Sequence, residues 1–220
     1  MNINHIKNYA PTLRISKDNI SFSGKTQTNL TPIANDTVSI KGSCEAKNGL
    51  KASSMKLSDI PEFLELMKNT DEVESKRTRK QQRESQQILT KLIKKEDGYD
   101  GNVCIIRDNN GSGKIIAEGG LLSYDKKNGY IFYVFVARNM QGKGLGNSIM
   151  KTLINQAKEK NYETLSLFTL NPIAEKLYEK NGFKNCTSAE AGYGKGDERY
   201  PKAFYMKLDL NNKSINEKLP

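Results

Sequence analysis

Histidine is almost missing from this sequence. The single one, His5, lies in a polar N-terminal stretch, which argues against a histidine-based zinc site and against a Ser-His-Asp triad. Cysteine is scarce as well. Cys44, Cys104 and Cys186 make an odd count with no C-x-x-C spacing, so they read as reduced thiols in a cytoplasmic chain, and no metal is expected. No apolar run reaches membrane-spanning length, and MNINHIKNYAPTLR lacks the apolar centre of a secretory signal. Hydrophobic residues make up only 36% of the 220, which fits a polar segment diluting one ordinary packed domain.

Positive charge is what the chain has in excess: 35 Lys and Arg against 25 Asp and Glu, a net +10. That balance favours anionic partners, among them phosphorylated cofactors, nucleic acid and acidic surfaces, and it fits a solvated basic surface equally well.

Along the chain, residues 1–50 are rich in Asn, Ser, Thr and Lys and show neither helical nor strand periodicity. They read as a disordered tail; Ile20 and Phe22 are the material for a strand or docking peptide if they are not. Order begins near Leu50. KASSMK reads as a short strand, and Ser58 as the N-cap of a helix to about Asn69, with Pro61 in its first turn and Ile60, Phe63, Leu64 and Met67 on one face. A second helix spans roughly Ser75 to Lys95 on the stripe Ile88, Leu89, Leu92 and Ile93; its first half, SKRTRKQQRESQQ, is nearly all polar. NVCIIRD, NNGSG and KIIAEGGLLSYD form a hairpin. GYIFYVFVA is a third strand. Then come the stretch QGKGLG, a helix to about Lys160, the strand ETLSLFTL, the helix NPIAEKLYEKNGF and a last strand AFYMKLDL. This order predicts one α/β domain over about 51–210, a mixed sheet flanked by helices, with a polar C-terminal tail at 211–220.

QGKGLG lies where a strand gives way to a helix. Backbone N–H groups and the helix dipole make such a place an anion site, and glycines admit a phosphate close to the main chain. Lys143 adds positive charge. The spacing matches neither a P-loop nor a dinucleotide fingerprint. Taken alone, the six residues also fit a plain turn.

The longer run from YVFVARNMQGKGLG to NPIAEKLYEKNGFK resembles the Gcn5-related N-acetyltransferase (GNAT) superfamily, whose signature is Q/R-x-x-G-x-G/A at the end of a central strand. Here that is Gln141, Gly144 and Gly146. The family's later pattern, an Asn followed by A-x-x-L-Y-x-x-x-G-F, is met by Asn171, Ala174, Leu177, Tyr178, Gly182 and Phe183. The resemblance implies that the loop and helix start, Gln141, Gly142, Lys143, Gly144, Leu145, Gly146 and Asn147, bind the pyrophosphate of acetyl-CoA. It implies that main-chain groups of Val134, Phe135 and Val136 run beside the pantetheine arm, which requires a splayed ladder, and that an amide there polarises the acetyl carbonyl. Asn171 is implied to bond the cofactor arm; from its place before Pro172 it also reads as a helix N-cap. Gly182 reads as the residue that stops the helix, and Phe183 as core.

Tyr178 is the candidate acid, since a phenol with pKa near ~10 can protonate a departing thiolate near ~8.5; the alternative is that it packs and closes a cavity. The base is less defined. Protein N-terminal acetyltransferases of this superfamily often carry Glu where this chain has Ser166, a departure from their pattern. Glu118, beside Gly119 and Gly120, is the candidate base, with a structural Glu118 and a water path as alternatives. Glu190, Asp197 and Glu198 in AEAGYGKGDERYPKA either attract a cationic amine or decorate a solvated loop.

Two functions of different class fit. One is direct acetyl transfer from acetyl-CoA to a primary amine on a small molecule or a protein. The other is an acyl-CoA-binding sensor or partner-binding module without turnover. Nucleic-acid association through Arg77 to Arg83 is weaker, lacking interleaved aromatics or a recognised motif.

Overall fold

The computed structural model of the chain describes residues 49–70, 75–76, 78–123, 125–193 and 202–211. The segments read as tails, including His5, Ile20, Phe22 and Cys44, therefore lie almost wholly outside the described residues. So do Arg77, Asp197 and Glu198.

The helices begin and end where local chemistry satisfies their free backbone groups. α1 (Ile60–Thr70) continues directly from a 3-10 turn at Leu57–Asp59. Ser58 is not its cap: the Asp59 carboxylate accepts from the Lys56 N–H at 2.8 Å, so the chain turns two residues earlier than expected. α2 (Arg79–Lys94) starts at a reciprocal cap, Gln81 N–H to Thr78 Oγ1 at 3.3 Å and Thr78 N–H to Gln81 Oε1 at 2.9 Å. Those bonds set its start at Arg79, later than Ser75. α3 (Leu145–Glu159) and α4 (Pro172–Lys180) carry Gly144 and Asn171 at their N-caps.

The seven strands among the described residues, β1 (Ala52–Ser54), β2 (Gly101–Arg107), β3 (Ile115–Ser123), β4 (Asn128–Val136), β5 (Thr164–Thr169), β6 (Lys184–Cys186) and β7 (Phe204–Asp209), lie in the order 1-2-3-4-5-7-6. Every neighbouring pair is antiparallel except β4 and β5. This is the mixed α/β sheet expected, with the short strand β6 added. Its faces are covered differently. Ile149, Met150, Leu153 and Ile154 of α3 pack with Cys104, Ile106 and Leu121 on one face. Phe63 of α1 and Leu89 and Leu92 of α2 pack with Val103 and Ile105 on the other. Leu153 is fully buried, and cutting such a side chain to Ala costs about 2–5 kcal/mol. Ser85 of the polar half of α2 is also fully buried, so that half is not simply a solvated surface.

The glycine pair in β3 separates two layers. A Cβ on Gly119 would meet Ile149 and Leu153 of α3, and one on Gly120 would run into the Phe132 ring. Gly119 therefore lets α3 press on the sheet, and Gly120 lets Phe132 lie flat across it.

Candidate active site

Two irregularities in β4 open the sheet. On the β5 side, parallel pairing runs Asn128↔Thr164, Gly129↔Leu165 and Tyr130↔Ser166, then stops. β5 goes on pairing with β7 as far as Thr169↔Phe204, so from Leu167 onward it leaves β4 and stays with its other neighbour. The main chain of Val134, Phe135 and Val136 is left without a strand partner on that side. On the β3 side the register slips between Glu118↔Phe135 and Gly120↔Phe132, a β-bulge in which Tyr133 takes the left-handed conformation at φ 53°.

The glycine turn closes the far end of this opening. After a 3-10 turn at Arg138–Met140, the Gln141 side-chain amide donates to the Val136 carbonyl at 3.2 Å, pinning the turn to the end of β4. Gly142 and Gly144 hold φ of 75° and 85°, and a Cβ on either would meet nothing within 4 Å. Both therefore border open space and need glycine for their backbone conformation. Gly146 differs: its Cβ would press Leu177 at 3.1 Å and Val136 at 3.6 Å, so it serves the approach of α3 to α4. α3 has no acidic residue in its first turn to offset its dipole, and the Lys143 ammonium stands nearby, 3.3 Å from Met140 Sδ. Leu145 buries its side chain and brings only its main chain to the turn. Asn147 accepts from Asn181 Nδ2 at 3.0 Å, joining α3 to the end of α4. This bond is additional to the place beside the pyrophosphate that the family resemblance implies for Asn147.

α4 is fixed at both ends. Asn171 Oδ1 accepts from the Ile173 N–H at 2.9 Å, with Pro172 at the first helical position, so its capping role is present. At the other end Gly182 has φ 88°; its N–H donates to the Glu179 carbonyl at 2.9 Å and the Phe183 N–H to the Tyr178 carbonyl at 3.1 Å. That is a Schellman motif, and its usual hydrophobic contact is here the pair Tyr178–Phe183, ring centroids 6.2 Å apart. The helix stop thus orients the candidate acid. Tyr178 is buried, and burial pushes its phenol well above the usual value. Its side chain shares one apolar cluster with Leu165 and Leu167 of β5 and with Val134 and Val136 of β4.

The opened strand, through Val134 and Val136, and α4, through Ala174, Leu177 and Tyr178, thus share one cluster, with the glycine turn pinned to the strand's end. Glu118 does not join them directly. It lies on β3, paired with Phe135 and Ile105, with no exposed surface. Glu190 is engaged locally: its Oε2 accepts from the Thr187 N–H at 2.8 Å and hydroxyl at 2.7 Å, which holds its carboxyl below the usual range. Among the described residues no cluster of His, Cys, Asp and Glu is arranged to hold a metal, and no helix is long and apolar enough to cross a membrane.

A sheet opened between two parallel strands, with a glycine turn at a helix start beside the opening, is the architecture of an acyltransferase. The model of the acetyltransferase (GNAT) family matches residues 63–183, more than half of the chain, and the protein belongs to that family. Solved structures share the fold. A GNAT-family acetyltransferase of Staphylococcus aureus Mu50 is 19% identical at TM-score 0.61, covering 73% of this chain and 99% of its own. An acetyltransferase of Streptococcus agalactiae 2603 is 16% identical at TM-score 0.60, covering 73% and 98%. The PaiA N-acetyltransferase of Thermoplasma acidophilum, solved in complex with coenzyme A, is 13% identical at TM-score 0.56, covering 73% and 98%. No curated protein matches the sequence.

Proposed function

We propose that the protein transfers an acetyl group from acetyl-CoA directly to a primary amine. The observation that carries this reading is the loss of pairing between β4 and β5 after Tyr130↔Ser166, with Tyr178 in the same cluster as Leu167 of β5 and Val134 of β4 and the open glycine turn at the strand end. The site residues fit coenzyme A. The main chain around Gly142 and Gly144, with Lys143, is open to a pyrophosphate, and Val134–Val136 offer hydrogen-bonding groups to a pantetheine arm. The coenzyme A complex of the Thermoplasma relative supports the same choice.

The amine nitrogen bonds to the acetyl carbon, the carbon–sulfur bond breaks, the nitrogen loses a proton and the departing thiolate gains one. An amide of the opened strand stabilises the oxyanion between those events. Tyr178 supplies the thiolate's proton, and its burial keeps that proton in place across neutral pH. The amine's proton leaves through water on the open side of the strand, or to Glu118 if water reaches that buried carboxylate past Phe135.

Free-thiol release from acetyl-CoA across a panel of amines tests the proposal. Tyr178→Phe is expected to lower kcat by about 100-fold while leaving coenzyme A affinity within about twofold. An unchanged kcat reduces Tyr178 to packing. Coenzyme A binding with no turnover on any amine would make the protein a binding module instead.

A further inference from the structure

The glycine turn and Tyr178 define the thioester side of the reaction; the amine side has a character of its own. α3 and α4 pack on one face of the sheet, and Val134 and Val136 turn toward them. On the other face α1 and α2 pack over Val103 and Ile105, and the aromatic residues of β4 and β5 at the opening stay half-buried, which leaves that face for the amine. There the described surface is aromatic, and the bulge is the cause. Side chains of adjacent strand residues ordinarily point to opposite faces. The left-handed turn at Tyr133 puts Phe132 and Tyr133 on the same one, with ring centroids 5.0 Å apart, and Phe135 follows at 6.4 Å from Tyr133.

Across the opening stands Phe168 of β5, with Tyr193 at 5.7 Å and Tyr205 at 6.0 Å. Tyr130 links the two sides, 6.3 Å from Phe132 and 5.7 Å from Tyr193. Phe132, Tyr133, Phe135, Phe168 and Tyr205 are only half-buried, although they lie in the interior of a sheet. Their rings leave apolar surface at the place where the acceptor must lie. Three carboxylates of the neighbouring segments are enclosed or engaged. Glu84 and Glu118 are buried, and Glu190 is held by Thr187.

We propose that the acceptor is a primary amine joined by a short chain to an aromatic ring, an arylalkylamine. This rests on the acyl-transfer reading above. Aromatic walls take a flat ring in offset or edge-on contact and tolerate one ammonium near their faces. A polyamine or an aminoglycoside would instead have several ammonium groups stripped of water beside rings, with Glu84 and Glu118 buried and Glu190 engaged by Thr187.

The full-length protein with acetyl-CoA is assayed for thiol release with 2-phenylethylamine, ethylamine and spermidine. Binding of each amine to the coenzyme A-loaded protein is followed separately by ligand-observed NMR. Burial of the ring is expected to raise kcat/KM for 2-phenylethylamine about 30-fold above ethylamine. Phe168→Ala is expected to narrow that ratio by about tenfold. Spermidine preferred over 2-phenylethylamine, equal rates for 2-phenylethylamine and ethylamine, or no binding of 2-phenylethylamine would each overturn the assignment. Turnover of spermidine without 2-phenylethylamine refutes the aromatic acceptor and keeps the transferase. Binding of 2-phenylethylamine without thiol release keeps the aromatic slot and refutes the transfer.

Discussion

Replacing Gly144 by Val tests the phosphate assignment because the structure separates its two effects. Gly144 holds φ 85° and a Cβ there meets nothing within 4 Å, so the first atom of the new side chain enters open space in the free protein. What the variant suffers is the left-handed backbone, roughly 1–2 kcal/mol for an L-residue. For a domain of this size that lowers Tm by about 3–8 °C. Gly111, in the β2–β3 turn, has the same φ of 85° and the same empty surroundings. Gly111→Val should therefore lose similar stability and serve as the control. The difference appears with ligand. If the turn's N–H groups hold the pyrophosphate, the valine methyls fill its approach and twist the donors away. Losing two charge-assisted hydrogen bonds weakens binding by about 100-fold or more. Calorimetric titration of coenzyme A into both variants, with thermal melts beside it, reads both effects. Equal coenzyme A affinity for Gly144→Val and Gly111→Val would refute the assignment, whatever the melts show.

Two further outcomes follow from groups already described. Asn171→Asp keeps the oxygen that caps α4 and removes the amide donor. Helix stability is expected to hold while coenzyme A affinity falls about tenfold, and an unchanged affinity by titration leaves Asn171 a cap alone. Burial, reinforced by the nearby Glu118 carboxylate, pushes the Cys104 thiol up to about 12. A thiol raised above its unfolded value near ~8.5 gives stability that is complete below that pH and is lost as pH climbs toward the folded value. Urea unfolding between about pH 9 and 10 should then show stability falling by about 1.4 kcal/mol per pH unit on this account, a slope that Cys104→Ala removes. An identical slope in the variant would contradict it.

What the sequence made legible depended on whether a backbone feature has a residue type that marks it. Positive φ at Gly142, Gly144 and Gly182 is marked by glycine, and the turn and the helix stop were read from it. Asn171 before Pro172 marks a cap in the same way. The bulge at Tyr133 has no such mark, because a tyrosine in the left-handed region looks like any strand residue in a run such as GYIFYVFVA. The splay of β4 from β5 was foreseen only through the family resemblance, since pairing partners are not written in either strand. β6 is three residues long, too short for alternation to show. Ser58 looks like a cap in sequence, but Asp59, one residue on, offers the acceptor that the Lys56 N–H takes.

The unmarked feature is also the one on which the site depends. A bulky residue at positive φ costs of order 1–3 kcal/mol and persists only where its surroundings over-determine it. Tyr133 is held from three directions. Its hydroxyl lies 3.3 Å from Ser85 Oγ on α2, its ring meets Phe63 of α1 at 6.1 Å, and its neighbour Phe132 lies flat because Gly120 has no side chain. None of Ser85, Phe63 and Gly120 belongs to the family motifs, yet all three keep β4 from relaxing into a regular strand. A regular β4 would restore alternation, send Phe132 and Tyr133 to opposite faces and remove the aromatic wall. It would also reset the direction of the Val134 main chain just where the ladder to β5 ends. The buried, polar side of α2 is thus explained by the bulge it supports: the helix holds the strain that shapes the opening.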